Sequence, residues 1–135
     1  MNKVVVQYGA GSTYPCSVQI GTIEGFAPAL TTTASDNGDP NNLWYNVPTG
    51  GQSTFTVDAQ KSAASELFFT IGLGGNCSYF NVIFSATKAG ALTHIMNSPD
   101  TKGLPVVNLV THSDHFAIEV GAYTSSKDPS SWIKP

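Results

Sequence analysis

The chain has 135 residues and a net charge of −3, with 41% hydrophobic and only 11% charged residues. That length sits near the commonest domain size, and moderate hydrophobicity without high net charge excludes a disordered chain, so one domain over residues 1–135 is expected. All six basic residues are scattered lysines (Lys3, Lys61, Lys88, Lys102, Lys127 and Lys134). With no arginine and no basic cluster, the chain lacks what nucleic-acid recognition draws its affinity from, and no nucleic-acid partner is expected.

In chain order, Met1 to Gln7 carries one lysine and three apolar residues before a polar break, unlike a signal peptide. Lys3 to Tyr8 is a β-branched run that predicts a strand. Cys16 to Ile20 alternates apolar and polar, as a half-buried strand does. Residues 27–42 read as one long loop, Leu43 to Val47 as a strand stopped by Pro48, and Ser53 to Asp58 as a strictly alternating strand. The stretch 58–66 is the best helical candidate, with barely two turns available. Glu66 to Ile71, Tyr79 to Ser85, a weaker run over Ala91 to Met96, Val106 to Thr111 and Phe116 to Tyr123 complete the strands.

Gly, Pro, Asn and Ser clusters separate these runs at Gly9 to Ser12, Asp36 to Pro40, Pro48 to Gly51 and Gly72 to Asn76. No helical crossover of a dozen residues is available to join parallel neighbours. The expected fold is therefore an antiparallel β-sandwich or jelly roll of about eight or nine strands. No run reaches the roughly 18 apolar residues of a membrane span, so no transmembrane segment is expected. Cys16 and Cys77, the two cysteines, are compatible with one disulfide or with two buried thiols.

Three local patterns carry candidate chemistry. Thr111-His112-Ser113-Asp114-His115 holds two of the three histidines, the third being His94. His94, His112 and His115 are candidate zinc ligands. His112, Asp114 and His115 are candidate acid/base residues, with Asp114 orienting an imidazole. The simpler expectation is that these residues make the turn of a β-hairpin. Ser35 to Asn42 is an oxygen-rich loop of the kind that holds calcium, although no acidic residue stands at the twelfth position of an EF-hand spacing. Finally, Trp44, Tyr45 and further aromatics, Tyr8, Tyr14, Tyr79, Tyr123 and Trp132, are set among Asn, Gln, Ser and Thr. Aromatic rings with neutral hydrogen-bonding groups suit a sugar, whose apolar face stacks while its hydroxyls are bonded.

These patterns lead to a non-enzymatic, lectin-like binding module for a neutral glycan. Its expected ligand-binding residues are Asp36, Asp39, Asn41, Asn42, Trp44 and Tyr45. No cofactor is required by this reading, and Ca or Zn is the ion either loop or histidines would take. The alternatives are a small β-barrel enzyme using His94, His112 and His115, or a structural protein that forms a homo-oligomer. An extracellular or cell-surface location is favoured.

Overall fold

The computed structural model describes residues 1–36, 44–74, 78–98 and 107–123, with residues 78 and 94–98 placed by backbone alone. Ten strands are described: β1 (Lys3–Tyr8), β2 (Cys16–Thr22), β3 (Ala29–Thr32), β4 (Trp44–Val47), β5 (Gln52–Asp58), β6 (Glu66–Leu73), β7 (Ser78–Ala86), β8 (Leu92–Ser98), β9 (Val107–Thr111) and β10 (Phe116–Val120). They form two five-stranded sheets, in the order β3-β5-β1-β10-β9 and β4-β2-β6-β7-β8. The two sheets pack face to face as a β-sandwich, and no described residue is helical.

The alternation read in the sequence places the core. In β2, Cys16, Val18, Ile20 and Thr22 are buried while Ser17, Gln19 and Gly21 are half-buried on the other face. β5 and β6 repeat the pattern, so each contributes one apolar face to the space between the sheets. Val4, Val6, Phe55, Val57 and Ile118 of the first sheet meet Val18, Leu67, Phe69, Ile71 and Phe84 of the second, all fully buried. A run of ring contacts crosses this core from Tyr45 to Phe55 (5.5 Å), Phe69 (6.0 Å), Phe84 (5.4 Å) and Phe116 (5.3 Å). Tilted and edge-to-face pairs of this kind each contribute about 0.5–1.5 kcal/mol beyond their buried area.

Three features depart from the sequence expectation. The tenth strand, β3, lies inside the segment expected to be a loop. Its Ala-Leu-Thr-Thr sequence carries little strand signal, and pairing with β5 (Leu30 opposite Val57) makes it a strand. Residues 58–66 form successive turns instead of a helix. Asp58 Oδ1 accepts from the Lys61 N–H at 3.0 Å, its carbonyl accepts from the Ser62 N–H at 3.0 Å, and Ala63 takes φ 50°. The Asp58 bonds are those that cap a first helical turn, and Ala63 in the left-handed region, with the Ala64 N–H bonded back to the Ala59 carbonyl, ends it after that one turn. Third, β1 and β10 pair in parallel, Val4 opposite Phe116 through Tyr8 opposite Val120, in an otherwise antiparallel molecule. The crossover rule is not broken, because eight other strands lie between these two in the chain.

Cys16 is a buried free thiol on the core face of β2, and burial pushes its pKa up to about 12. Cys77 lies outside the described residues. No helix long and apolar enough to cross a membrane occurs among the described residues.

Candidate functional site

The outer face of the second sheet is where the aromatic and neutral polar residues come together. Since Tyr45, Val18, Ile71 and Phe80 point into the core, their chain neighbours Trp44, Gln19, Thr70 and Asn81 occupy outward positions and lie side by side across β4, β2, β6 and β7. The next outward row is Asn46, Ser17, Gly72 and Tyr79. Trp44 and Tyr79 therefore start three strands apart, on β4 and β7. Their rings nevertheless approach to 6.1 Å between centroids, at an interplanar angle of 50°.

Gly72 makes that approach possible. A Cβ placed there would lie 3.0 Å from Tyr79 Cε1 and 3.2 Å from Trp44 Cζ3, so both rings lean over the one position in the row that has no side chain. A glycine inside a strand usually weakens it, and close approach by another group is the common reason to keep one. The result is an angled aromatic pair standing on a sheet, with Trp44 half-buried and Tyr79 55% exposed.

Among the described residues, the two rows around it carry hydrogen-bonding groups and no charged side chain, with Asp36 standing at their edge. Ser17, Gln19, Asn46, Thr70 and Asn81 are the outward neighbours in the two rows. The Thr70 hydroxyl donates to Asn81 Oδ1 at 2.6 Å, which orients the Asn81 amide with its N–H groups directed away from Thr70. At the β4 edge, Asn46 Nδ2 donates to Ser35 Oγ and to the Asp36 carbonyl, both at 3.2 Å, and Asp36 bridges Tyr45. This holds Ser35 and Asp36 beside β4. On the other side of the polar row stand Gly21, Phe68 and Ile83, and over Gly21 the space is open.

The residues singled out in the sequence thus divide. Trp44 stands on the outer face, with Asp36 exposed at its edge. Tyr45 faces the other way and packs edge-on against Phe55. Adjacent strand residues point to opposite faces, so one strand cannot present both rings to one ligand. Asp39, Asn41 and Asn42 lie outside the described residues. Gln19, Thr70, Gly72 and Asn81 join Trp44 without any sequence signal that singles them out, and Tyr79, one of the aromatics noted in the sequence, joins it outside the expected ligand-binding set. Only the register of β6 against β2 and β7 brings them beside Trp44.

The histidine segment is the turn of the β9–β10 hairpin, closed by a bond from the His112 N–H to the His115 carbonyl at 2.9 Å. The His112 and His115 rings stack at 4.5 Å with an interplanar angle of 18°. His115 Nδ1 lies 2.7 Å from Asp114 Oδ1, and Lys3 Nζ lies 3.4 Å from Asp114 Oδ2. The bond from His115, and then Lys3, holds the exposed Asp114 carboxyl below its ordinary value of 3.8. His94 stands in β8 opposite Phe84, in the other sheet. No group of three metal-ligating side chains occurs among the described residues.

Compared with protein-family models, with curated proteins and with solved structures, the chain matches none.

Proposed function

We propose that the protein is a non-enzymatic binding module for a neutral carbohydrate, taken up on the outer face of the second sheet. The observation that carries this reading is the convergence of Trp44 and Tyr79 over Gly72 within a field of uncharged polar side chains. A sugar ring has an apolar face of C–H groups and a rim of hydroxyls. The first matches an aromatic surface, and the second matches amide and hydroxyl groups that both donate and accept. Gln19, Thr70 and Asn81 supply such groups along one side of the aromatic pair, and Ser17 and Asn46 supply them along the other. A charged or strongly anionic ligand finds no counter-ion in these rows. Ring contacts that already exist in the free protein cost little to order on binding.

The test is calorimetric titration with neutral oligosaccharides (cellohexaose, mannohexaose, xylohexaose and laminarihexaose) against the native protein and Trp44→Ala. At least one sugar binds, and Trp44→Ala weakens it about tenfold or more, which corresponds to about 1.4 kcal/mol. Absence of any saturable heat with all sugars, or equal affinity in the variant, would overturn the proposal.

A second reading, an interaction or oligomeric protein, is favoured by the β2–β3 loop. Ile23 is 56% and Phe26 71% exposed there. The loop is held in shape by the Thr22 hydroxyl, which accepts from the Phe26 N–H at 3.1 Å and donates to its carbonyl at 2.9 Å. If this is an interface, mass measured by light scattering rises with concentration and Phe26→Ser abolishes the rise.

A further inference from the structure

The outer face of the first sheet carries a different arrangement. Gln52 of β5, Gln7 of β1, Glu119 of β10 and Asn108 of β9 are register partners and form a straight row across four strands. Gln52, Gln7 and Glu119 of this row line a groove of about 590 Å³ together with Gly9, Gly50 and Gly51. That is the size range of small-ligand sites.

The glycine wall is fixed by backbone bonds. The Tyr8 N–H donates to the Gly51 carbonyl at 3.0 Å, the Gly50 N–H to the Tyr8 carbonyl at 3.0 Å, and the Gly9 N–H to the Val120 carbonyl at 2.9 Å. Two of its glycines are required by geometry: Gly50 has φ +69°, and a Cβ on Gly9 would lie 2.5 Å from the Ala122 nitrogen. The groove is a built feature of the fold and does not depend on loose loops.

Its chemistry centres on Glu119. Gln7 Nε2 donates to Gln52 Oε1 at 3.4 Å, which turns one of its two N–H donors toward Gln52. Glu119 is half-buried and has no hydrogen-bond or ion-pair partner among the described residues. Lys3 lies on the same face of β1, but it reaches Asp114 instead. A carboxylate that faces a groove takes its strongest available bond from a cationic donor. The Gln7 carbonyl oxygen stands in the next strand as a second acceptor. A hard divalent ion wants six or more oxygens with several carboxylates, and the groove has one carboxylate. An ammonium has three donors and suits a single carboxylate flanked by an amide oxygen.

We propose that this groove binds the primary ammonium group of a small amine-bearing ligand, with Glu119 as its counter-ion. The site is separate from the aromatic pair on the opposite face and does not rest on the carbohydrate reading. An amino sugar and a lysine side chain present the same ammonium, and two probes tell them apart. The experiment follows the backbone amides of Gly9, Gly50 and Gly51 by NMR during titration with D-glucosamine, N-acetyl-D-glucosamine and Nα-acetyl-lysine amide. Saturable shifts with D-glucosamine identify the amino sugar, and shifts with the lysine derivative alone identify a peptide side chain. In either case N-acetyl-D-glucosamine, which lacks the charge, leaves these amides unmoved.

Glu119→Gln keeps the shape, and its spectrum away from the groove stays native while affinity falls about tenfold or more. Trp44→Ala leaves the amine response unchanged, which separates this site from the other. The proposal is overturned if neither amine gives a saturable shift, if N-acetyl-D-glucosamine works equally well, or if the response survives in Glu119→Gln.

Discussion

The outer face of the second sheet gathers Trp44 and Tyr79 over Gly72, whereas the outer face of the first keeps Gln52, Gln7, Glu119 and Asn108 in a straight row. Both faces are produced by the same period-two alternation, and both cover the same core. They differ in what occupies the middle of the row. Where a glycine leaves a gap, long side chains from distant strands lean inward and meet. Where every position holds a polar side chain, the row stays straight and the groove forms beside it. Empty positions, as much as filled ones, decide what a sheet face presents.

The largest effect that would break the comparison comes from the shared core. Phe69 is fully buried and touches the rings of Phe55 and Phe84, so Phe69→Ala should cost about 3–5 kcal/mol in urea denaturation. Such a variant impairs both faces together. Gly9→Val should come next, at about 1–3 kcal/mol, because its side chain meets the Ala122 backbone, which cannot yield as a flexible side chain would. It distorts the groove, and the spectrum around Trp44 and Tyr79 should remain native.

Gly72→Leu sharpens the comparison from the other side. A side chain there displaces Trp44 and Tyr79, so neutral-sugar affinity falls about tenfold while the response of the groove amides is kept. The Cys16 thiol, with a pKa near 12, should resist iodoacetamide at pH 8 in the folded protein and react after unfolding, as peptide mapping of that residue would show.

The smallest effect concerns the hairpin turn beside the first sheet. The Asp114 pKa is depressed in the folded state, so its stabilising contribution is present above about 3.8 and is lost as pH falls through the lower folded value. Asp114→Asn should remove that part of the acid dependence. The residue is fully exposed, so the change is a slight flattening of the melting-temperature profile below pH 4.

Particular residues show how far the sequence could be read. The alternation of Phe55 and Val57, and of Val18 and Ile20, is a local signal, and it fixed which side chains enter the core. β3 escaped notice because Ala29 to Thr32 has no apolar alternation of its own and is ordered by its partner β5. Asp58 to Glu66 differs for the opposite reason: its residues suit a helix locally and Asp58 caps a first turn, but Ala63 in the left-handed region ends it at once. For the site, Trp44 was legible as an aromatic among neutral polar residues. Tyr45, its chain neighbour, belongs to the core by the same period-two rule. Tyr79, Gly72 and Asn81 could not be joined to Trp44 without the register of β2, β6 and β7, since cross-strand pairing is a long-range property. Glu119 was legible as outward-facing from its alternation with Ile118 and Val120. That Gln7 bonds Gln52, and that Glu119 has no partner among the described residues, could be seen only in three dimensions.

The most direct test of the carbohydrate reading is an amide and side-chain NMR map of the protein titrated with neutral oligosaccharides. Saturable shifts are expected at the Trp44 indole N–H, the Asn81 side-chain amide and the backbone of Gly72 and Tyr79, with Gly9, Gly50 and Gly51 unmoved. Shifts absent from those positions, or confined to the first sheet, would contradict that reading.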